Sequence, residues 1–223
     1  MAIRLLVALI ALGLLHGMPQ LARWRRDGLF RRWVTQLADT SGSGRVVLAL
    51  LPPLAACLLL SWLFDRPPLG EWLELIFSLL VLLFCFGPRE LEVDVEAILK
   101  APDGARREAA AQRLVDDGGT VIWAAPTLGE ALAYAALRRR FAVLLWFFLL
   151  GPFGALLYRL AQTLARDESL ALDAVTRVAA RYLANALDWL PAQLLTFTLA
   201  VVGHWEAVLG AWSRWHRDRK SVV

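Results

Sequence analysis

The chain has 223 residues, of which 58% are hydrophobic and 20% are charged, and its formal net charge is +4. Soluble globular chains are about 45–50% apolar even when glycine is counted, and this composition excludes a disordered chain, while only two cysteines exclude a disulfide-stapled secreted module. The cations flank apolar runs, an arrangement that the positive-inside rule explains without nucleic acid. The composition therefore predicts an integral membrane protein that sits in a lipid bilayer and binds no nucleic acid.

Three apolar runs occupy the N-terminal part of the chain. The run 5–22 is either the core of a signal peptide or a short membrane helix, and its length favours a retained helix. The run 46–64 is the clearest spanning helix, although the two prolines in its middle should kink it. The run 72–88 follows a short turn, so the second and third runs should form an antiparallel hairpin. We predict an N-terminal unit of three spans, residues 1–88.

The main polar segment is residues 89–140, with eight Lys or Arg and nine Asp or Glu. Three short helices are expected there. Pro102-Asp103-Gly104 separates the first two, and Gly118-Gly119 ends the second, which should cover 105–117. The third should cover 120–140. No alternation of strand period is sustained, so we predict a polar, helical, cytoplasmic insertion.

The C-terminal part, residues 141–223, begins with an apolar run that Gly and Pro residues interrupt. An amphipathic helical stretch at 159–188 and a last apolar run at 189–205 follow. With five spans and the N-terminus outside, the inner segments carry 18 Lys or Arg and the outer segments carry 6. This asymmetry favours that orientation. If the interrupted run is re-entrant, 159–188 returns to the cytoplasm, so we predict an all-α protein with four to five transmembrane helices.

The Gly151-Pro152 pair is the first candidate site feature. Proline removes one helical hydrogen bond and glycine lowers helix stability. The pair is either a kink for packing or a break in a discontinuous helix that lines a polar site. Arg159 lies two turns beyond Gly151 and needs a carboxylate, a carbonyl or water as partner. Asp188 is the expected partner, in a shared polar cavity.

Polar residues at helical spacing form the second candidate feature. Arg177, Arg181, Asn185 and Asp188 share one helical face, which is either solvated or the wall of a pocket. An apolar stripe from Val175 to Ala186 lies opposite. The predicted ligand-binding residues are Gly151, Pro152, Arg159, Arg181, Asn185 and Asp188.

No motif for catalysis, metal or cofactor binding is present. The chain has no phosphate-binding loop and no Gly-x-Ser-x-Gly turn, and its three histidines are far apart in sequence. We therefore predict no metal and no cofactor. Glu71 and Glu74 are expected to mark the start of the third run at the membrane interface. Glu206 is explained equally well by a position at the interface and by a role as an intramembrane functional carboxylate.

Two sequence stretches resemble the AmpE family, which belongs to the wider CobD/CbiB superfamily. They are Phe147-Phe148-Leu149-Leu150-Gly151-Pro152-Phe153-Gly154-Ala155-Leu156-Leu157-Tyr158-Arg159-Leu160 and Leu187-Asp188-Trp189-Leu190-Pro191-Ala192-Gln193-Leu194, followed by Val201-Val202-Gly203-His204-Trp205. The resemblance implies a multi-pass protein of the bacterial inner membrane that modulates signalling in β-lactamase induction, tied to cell-wall recycling. It is compatible with a protein partner or a homo-oligomer.

Members of the superfamily also include adenosylcobinamide-phosphate synthases, and the chain departs from their pattern. It has Ala131 and Gln162 where the synthases have Asn, and Gln193 where they have Arg. It also places Asn185 and Asp188 in reverse order. These departures favour a regulatory protein over an enzyme. A corrinoid-related synthase and a small-ligand-binding membrane protein remain the alternatives.

Overall fold

A computed structural model of the chain describes residues 2–17, 28–64, 70–86, 91–115 and 124–202. These residues contain helices and turns and no strand, so the all-α prediction is confirmed for them. The helices are α1 Ala2–Gly17, α2 Gly28–Gln36, α3 Gly42–Phe64, α4 Gly70–Cys85, α5 Leu91–Lys100, α6 Gly104–Ala111, α7 Ala125–Ala136, α8 Ala142–Leu150, α9 Pro152–Arg166 and α10 Ala174–Val202.

The core consists of two apolar clusters that share α9. In the first, α1, α4, α8 and α9 bury Val7, Leu82, Phe147 and Tyr158 among other residues. In the second, α2, α3, α9 and α10 pack together. Different faces of helix α9 pack into the two clusters, and all of its residues from Leu160 to Ala165 are buried. This central position makes α9 the element that places polar side chains inside the fold.

The long helix α10 buries a face of mostly small residues rather than the apolar stripe that the sequence emphasises. From its start to residue 191, its buried positions are Thr176, Ala180, Ala184, Leu187 and Pro191, which recur at three- and four-residue spacing along one side of a helix. Small side chains let neighbouring backbones approach closely. Three of the larger members of the predicted stripe are exposed, namely Val175, Val178 and Tyr182, whereas Leu183 is partly buried against both clusters.

Polar contacts fix the start of α10 against the start of α3. The Asp173 carboxylate accepts hydrogen bonds from the Thr176 amide at 3.0 Å and the Thr176 hydroxyl at 2.5 Å. The Gly42 amide, at φ +67°, donates to the same hydroxyl oxygen at 2.7 Å. Buried Arg45 lies 3.5 Å from the Asp173 carboxylate and donates to the Val34 carbonyl at 3.2 Å. These contacts hold the end of α2 and the first turn of α3 against the start of α10.

Among the described residues, one helix is long and apolar enough to cross a membrane, α3 at Gly42–Phe64. The apolar stretches of α1 and α4, Ile3–Leu15 and Trp72–Cys85, are shorter. A helix of 16 residues, the length of α1 and of α4, is about 24 Å long, whereas the hydrocarbon core of a bilayer is about 30 Å thick. The second predicted span is therefore present as a helix of sufficient length, and the remaining spans stay predictions.

The polar insertion forms short helices whose ends differ from the expected ones. Helix α6 ends at Ala111 in a 3₁₀ turn over Gln112–Leu114 instead of continuing to residue 117. The Asp103 carboxylate caps its start by accepting from the Arg106 amide at 2.7 Å, as expected for the break at Pro102-Asp103-Gly104. The third helix begins at Ala125, later than predicted, because Pro126 favours the first turn of a helix.

Candidate functional site

The fourth apolar run is broken at Gly151. Helix α8 ends at Leu150 and α9 begins at Pro152, with Gly151 at φ +70° and ψ −153° between them. Almost only glycine adopts this conformation. The Gly151 amide donates to the Phe147 carbonyl at 2.8 Å, and its carbonyl accepts from the Gly154 amide at 3.1 Å. The two helices therefore meet end to end at one residue, as a discontinuous helix.

Arg4 of α1 reaches this break. Its Nη1 atom donates to the carbonyls of Phe148 at 2.8 Å and Leu149 at 3.3 Å, both in the last turn of α8. A Cβ atom added to Gly151 would lie 3.4 Å from Nη2 of Arg4. A cation is favourable at a helix C-terminus because the last carbonyls carry partial negative charge. Arg4 thus caps α8 from a helix more than 140 positions away in sequence.

Asp188, a predicted site residue, is the centre of a polar cluster. Its Oδ1 atom accepts hydrogen bonds from the Tyr158 hydroxyl at 2.6 Å and the Gln162 amide at 2.8 Å. Its Oδ2 atom lies 3.2 Å from Nη2 of Arg166 and 3.6 Å from Nε of Arg138. The carboxylate is 14% exposed. We refer to these five residues as the Asp188 cluster.

The sequence of α9 explains three members of the Asp188 cluster. Tyr158, Gln162 and Arg166 follow one another at intervals of four, so they lie on one helical face. The Nε atom of Arg166 also donates to the Gln162 side-chain oxygen at 2.7 Å, which orients the amide so that its nitrogen points to Asp188. The α10 backbone is held nearby, because the Trp146 indole of α8 donates to the Leu187 carbonyl at 3.1 Å.

Arg138 brings the polar insertion to the Asp188 cluster. It lies in a π-helical turn, Leu137–Phe141, at the junction between α7 and α8, a local form often found at functional sites. Its guanidinium stacks 4.9 Å from the centre of the Tyr134 ring. The same turn carries Arg139, whose Nη1 atom is 2.6 Å from the buried carboxylate of Asp94 on α5.

The neighbouring arginine completes this junction. Arg140 forms an ion pair with Glu92 of α5. Arg139 additionally donates to the Arg113 carbonyl at 2.8 Å, after the end of α6. One turn of backbone therefore connects α5 and α6 of the insertion with Asp188 on α10.

The other predicted site residues occupy different surroundings. Gly151 and Pro152 form the helix break. Arg181 and Asn185 are exposed on α10, as a solvated or lipid-facing surface would be. Arg159 is half-buried and lies about 100° around α9 from Tyr158. Its pairing with Asp188 and the binding of a ligand by this set stay predictions. His204 and Glu206 lie outside the described residues.

Sequence reasoning missed five residues of the candidate site for two different reasons. Tyr158, Gln162 and Arg166 could have been found, because polar residues at four-residue spacing are unusual on a helix that begins in an apolar run. Arg4 and Arg138 could not, because their partners are distant in sequence and no local pattern records the pairing.

The Asp188 cluster suits recognition and coupling better than proton transfer. Three donors form hydrogen bonds to its carboxylate and the Arg138 guanidinium lies beside it, which leaves little free lone-pair capacity for a general base. Two guanidinium groups against one carboxylate leave a surplus positive charge, which suits an anionic group. In the described ranges, no three His, Cys, Asp or Glu side chains are grouped so that they could hold a metal ion.

The fold and the cluster define an all-helical protein with an apolar exterior, a discontinuous helix and a charged junction at its centre. A family model described as "Regulatory signalling modulator protein AmpE" matches residues 3–222. The chain belongs to the AmpE family.

A curated relative supports the link to the wider superfamily. The chain is similar to the "Cobalamin biosynthesis protein CobD" of Chromobacterium violaceum, with 32% identity over 174 residues. The match covers 72% of this chain and 53% of the relative, so the chain spans about half the length of that protein. No solved structure matches the chain.

Proposed function

We propose that the chain is a multi-pass inner-membrane regulatory protein that modulates β-lactamase induction in connection with cell-wall recycling. The observation that carries this proposal is the Arg138–Asp188 contact, which connects the polar insertion with α10. Family membership gives the regulatory class. The contact gives a physical route by which a change at the insertion could reach the apolar helices.

The apolar surface supports placement in a membrane. Helix α3 has the length and hydropathy of a spanning helix, and most of its leucines are exposed. Trp62, Trp72 and Trp189 are exposed near the ends of apolar runs, where an aromatic belt would meet the headgroups. Exposed apolar area on this scale is unusual for a soluble monomer.

A signalling role requires an element with two arrangements that a signal can bias. The Asp188 cluster is suited to this, because Arg138 contacts the carboxylate at 3.6 Å, the longest of the four contacts, whereas Tyr158 and Gln162 are close. An anionic group presented to Arg138 would compete with Asp188 for the guanidinium. The proposal includes a protein partner or a second copy of the chain, which the exposed Tyr182 side of α10 could contact.

The test is a β-lactamase reporter in a bacterial strain without its own AmpE-family protein. Cells that express the chain, Asp188→Asn or Arg138→Gln are challenged with a β-lactam below the inhibitory concentration. Both variants should change induction in the same direction, because both break the Arg138–Asp188 contact. Asp188→Asn should have the larger effect, because it also removes the charge that faces Arg166. The double variant should be no more affected than the stronger single variant.

The matched control is Arg106→Gln. This arginine of α6 is 72% exposed, and its ion pair in the described residues is with Asp103, three positions away in sequence. It should induce like the parent chain. If the parent chain leaves induction unchanged, or if Arg106→Gln has the same effect as Arg138→Gln, the proposed regulatory role is wrong.

A second candidate, a corrinoid amide synthase, is favoured by the similarity to the CobD protein. The chain's own residues argue against it. Gln162, which stands where the synthases have Asn, is committed to Asp188 and Arg166. The test is to express the chain in a synthase-null strain that is supplied with cobyric acid as its only corrinoid source. We expect no rescue of growth. Rescue would replace the regulatory proposal with the enzymatic one.

A further inference from the structure

Helices α8 and α9, which meet at Gly151, are packed against each other. Gly154, in the first turn of α9, lies so close to α8 that an added Cβ atom would overlap the Trp146 carbonyl oxygen and the Leu150 side chain. On one straight helix, residues 146 and 154 would be about 12 Å apart along the axis. The chain therefore turns sharply at Gly151.

The far ends of α8 and α9 lie side by side. Arg138, just before α8, and Arg166, at the end of α9, both approach Oδ2 of Asp188, at 3.6 Å and 3.2 Å. A straight helix would hold these two arginines about 42 Å apart, far more than their side chains can bridge. The two helices therefore fold back on each other as a hairpin. From Arg138 to Leu150, its first limb is about 18 Å long, too short for the ~30 Å hydrocarbon core of a bilayer.

The connection between α9 and α10 lies beside the start of α3. Arg45, in the first turn of α3, is 3.5 Å from the Asp173 carboxylate and donates to the Ala171 carbonyl. Arg31 of α2 is 2.9 Å from the Asp167 carboxylate. These contacts fix the connection, residues 167–173, at the end of the bundle where α3 begins.

Helices α3 and α4 relate this end of the bundle to the polar insertion. Only residues 65–69 separate the two helices, and the rings of Phe64 and Phe77 are in edge contact at 5.5 Å, so α3 and α4 run antiparallel. The start of α3 and the end of α4 therefore lie on the same side. The insertion follows α4, so it lies on the same side as the connection between α9 and α10.

We propose that the α8–α9 hairpin is re-entrant, so that it enters the membrane from the side of the polar insertion and returns to that side. The hairpin contacts and the α3–α4 pair lead to this arrangement independently. The inference rests on the membrane placement in the proposed function. It deepens that function by naming the side from which a signal reaches the Asp188 cluster, and it reduces the predicted spans from five to four.

The distribution of cations is equally compatible with both arrangements. Residues 159–188 and 214–220 carry four Lys or Arg each, and a re-entrant hairpin exchanges the sides of these two segments. The inner segments then still carry 18 cations and the outer segments 6. The positive-inside rule therefore gives no preference, and the contacts of the folded chain decide.

The test is labelling of single cysteines with a membrane-impermeant maleimide in right-side-out and in inside-out membrane vesicles. The full chain carries Glu108→Cys in the insertion, Glu168→Cys in the connection between α9 and α10, or Arg66→Cys between α3 and α4. Both glutamates are exposed. The parent chain is the background control, because its own two cysteines are buried.

Glu108→Cys and Glu168→Cys should be labelled in the same type of vesicle and lose their label in the other type. Arg66→Cys should show the reverse. Ser169→Cys, at the next exposed position, should behave like Glu168→Cys, so that local occlusion of one cysteine does not decide the result.

Labelling of Glu168→Cys and Ser169→Cys together with Arg66→Cys, opposite to Glu108→Cys, would show that the fourth apolar run crosses the membrane. That result would overturn the re-entrant hairpin and leave the membrane placement intact. Labelling of Glu108→Cys and Arg66→Cys in the same vesicles would instead overturn the crossing of α3 and α4, and with it the membrane placement itself.

Discussion

Replacing Arg4 with Met removes the guanidinium at the end of α8 and keeps most of the side-chain bulk. The Phe148 carbonyl, at 2.8 Å, is partly buried, whereas the Leu149 carbonyl, at 3.3 Å, is exposed. Water can replace the second bond more readily than the first. Leaving one partly buried acceptor unsatisfied costs about 1–3 kcal/mol. For a chain of this size, that loss corresponds to a melting temperature lower by roughly 2–12 °C.

Thermal unfolding in detergent micelles, followed by circular dichroism, measures this change. Arg4→Lys keeps the charge near the helix end, which is worth about 0.3–1 kcal/mol, so it should fall between Met and the parent. Arg106→Met is the control, because its exposed side chain should change stability by no more than about 0.5 kcal/mol. If Arg4→Met has the same melting temperature as this control, the Arg4 contact does not stabilise the helix break.

Three other changes test separate parts of the fold by the same measurement. Gly154→Ala should destabilise severely or prevent folding, because the new Cβ would overlap the backbone carbonyl oxygen of Trp146. Gly129→Ala, where nothing lies within 4 Å, is its control, and equal melting temperatures of the two variants would contradict this close packing. Asp94→Ala should cost about 3–5 kcal/mol by leaving the buried Arg139 cation without this carboxylate, a prediction that a loss below about 1 kcal/mol would refute. Hydrogen bonds from Thr176, in the first turn of α10, lower the pKa of Asp173. The difference in stability between the parent chain and Asp173→Ala should therefore be largest above the ordinary aspartate pKa of about 3.9 and should shrink as the pH falls through the lowered pKa. A difference that is constant with pH would exclude this capping role.

The sequence was sufficient for the helix class and for two of the places where helices stop. The Pro102-Asp103-Gly104 break and the Gly151-Pro152 break follow from local backbone chemistry, and both are confirmed. The ends of α6 and α7 differ from the predicted ones, and the helical stretch predicted over 159–188 is interrupted between Arg166 and Ala174. The buried face of α10 could not be predicted in this way. Its small residues, such as Ala180 and Ala184, have little hydrophobicity of their own and are buried because neighbouring backbones fit against them.

In the candidate site, too, some residues could be predicted from local sequence and others depend on how the chain packs. Asp188 could be singled out because a carboxylate before an apolar run needs a partner. Its partners could be narrowed to one face of α9 by the four-residue spacing that ends at Arg166. Nothing in the local sequence could show that Arg138 reaches Asp188, because that contact depends on how the π-helical turn directs the side chain.

The Arg4 contact also bears on the order in which the chain can assemble during synthesis. Its acceptors, at residues 148 and 149, are translated long after Arg4 itself. At about 5–20 residues per second, the ribosome needs roughly seven to thirty seconds to supply them. During that interval the guanidinium must be solvated by water or lipid headgroups. The α1 helix can therefore take its final place only after α8 has been made, which makes the closing of this pair a late step of biogenesis.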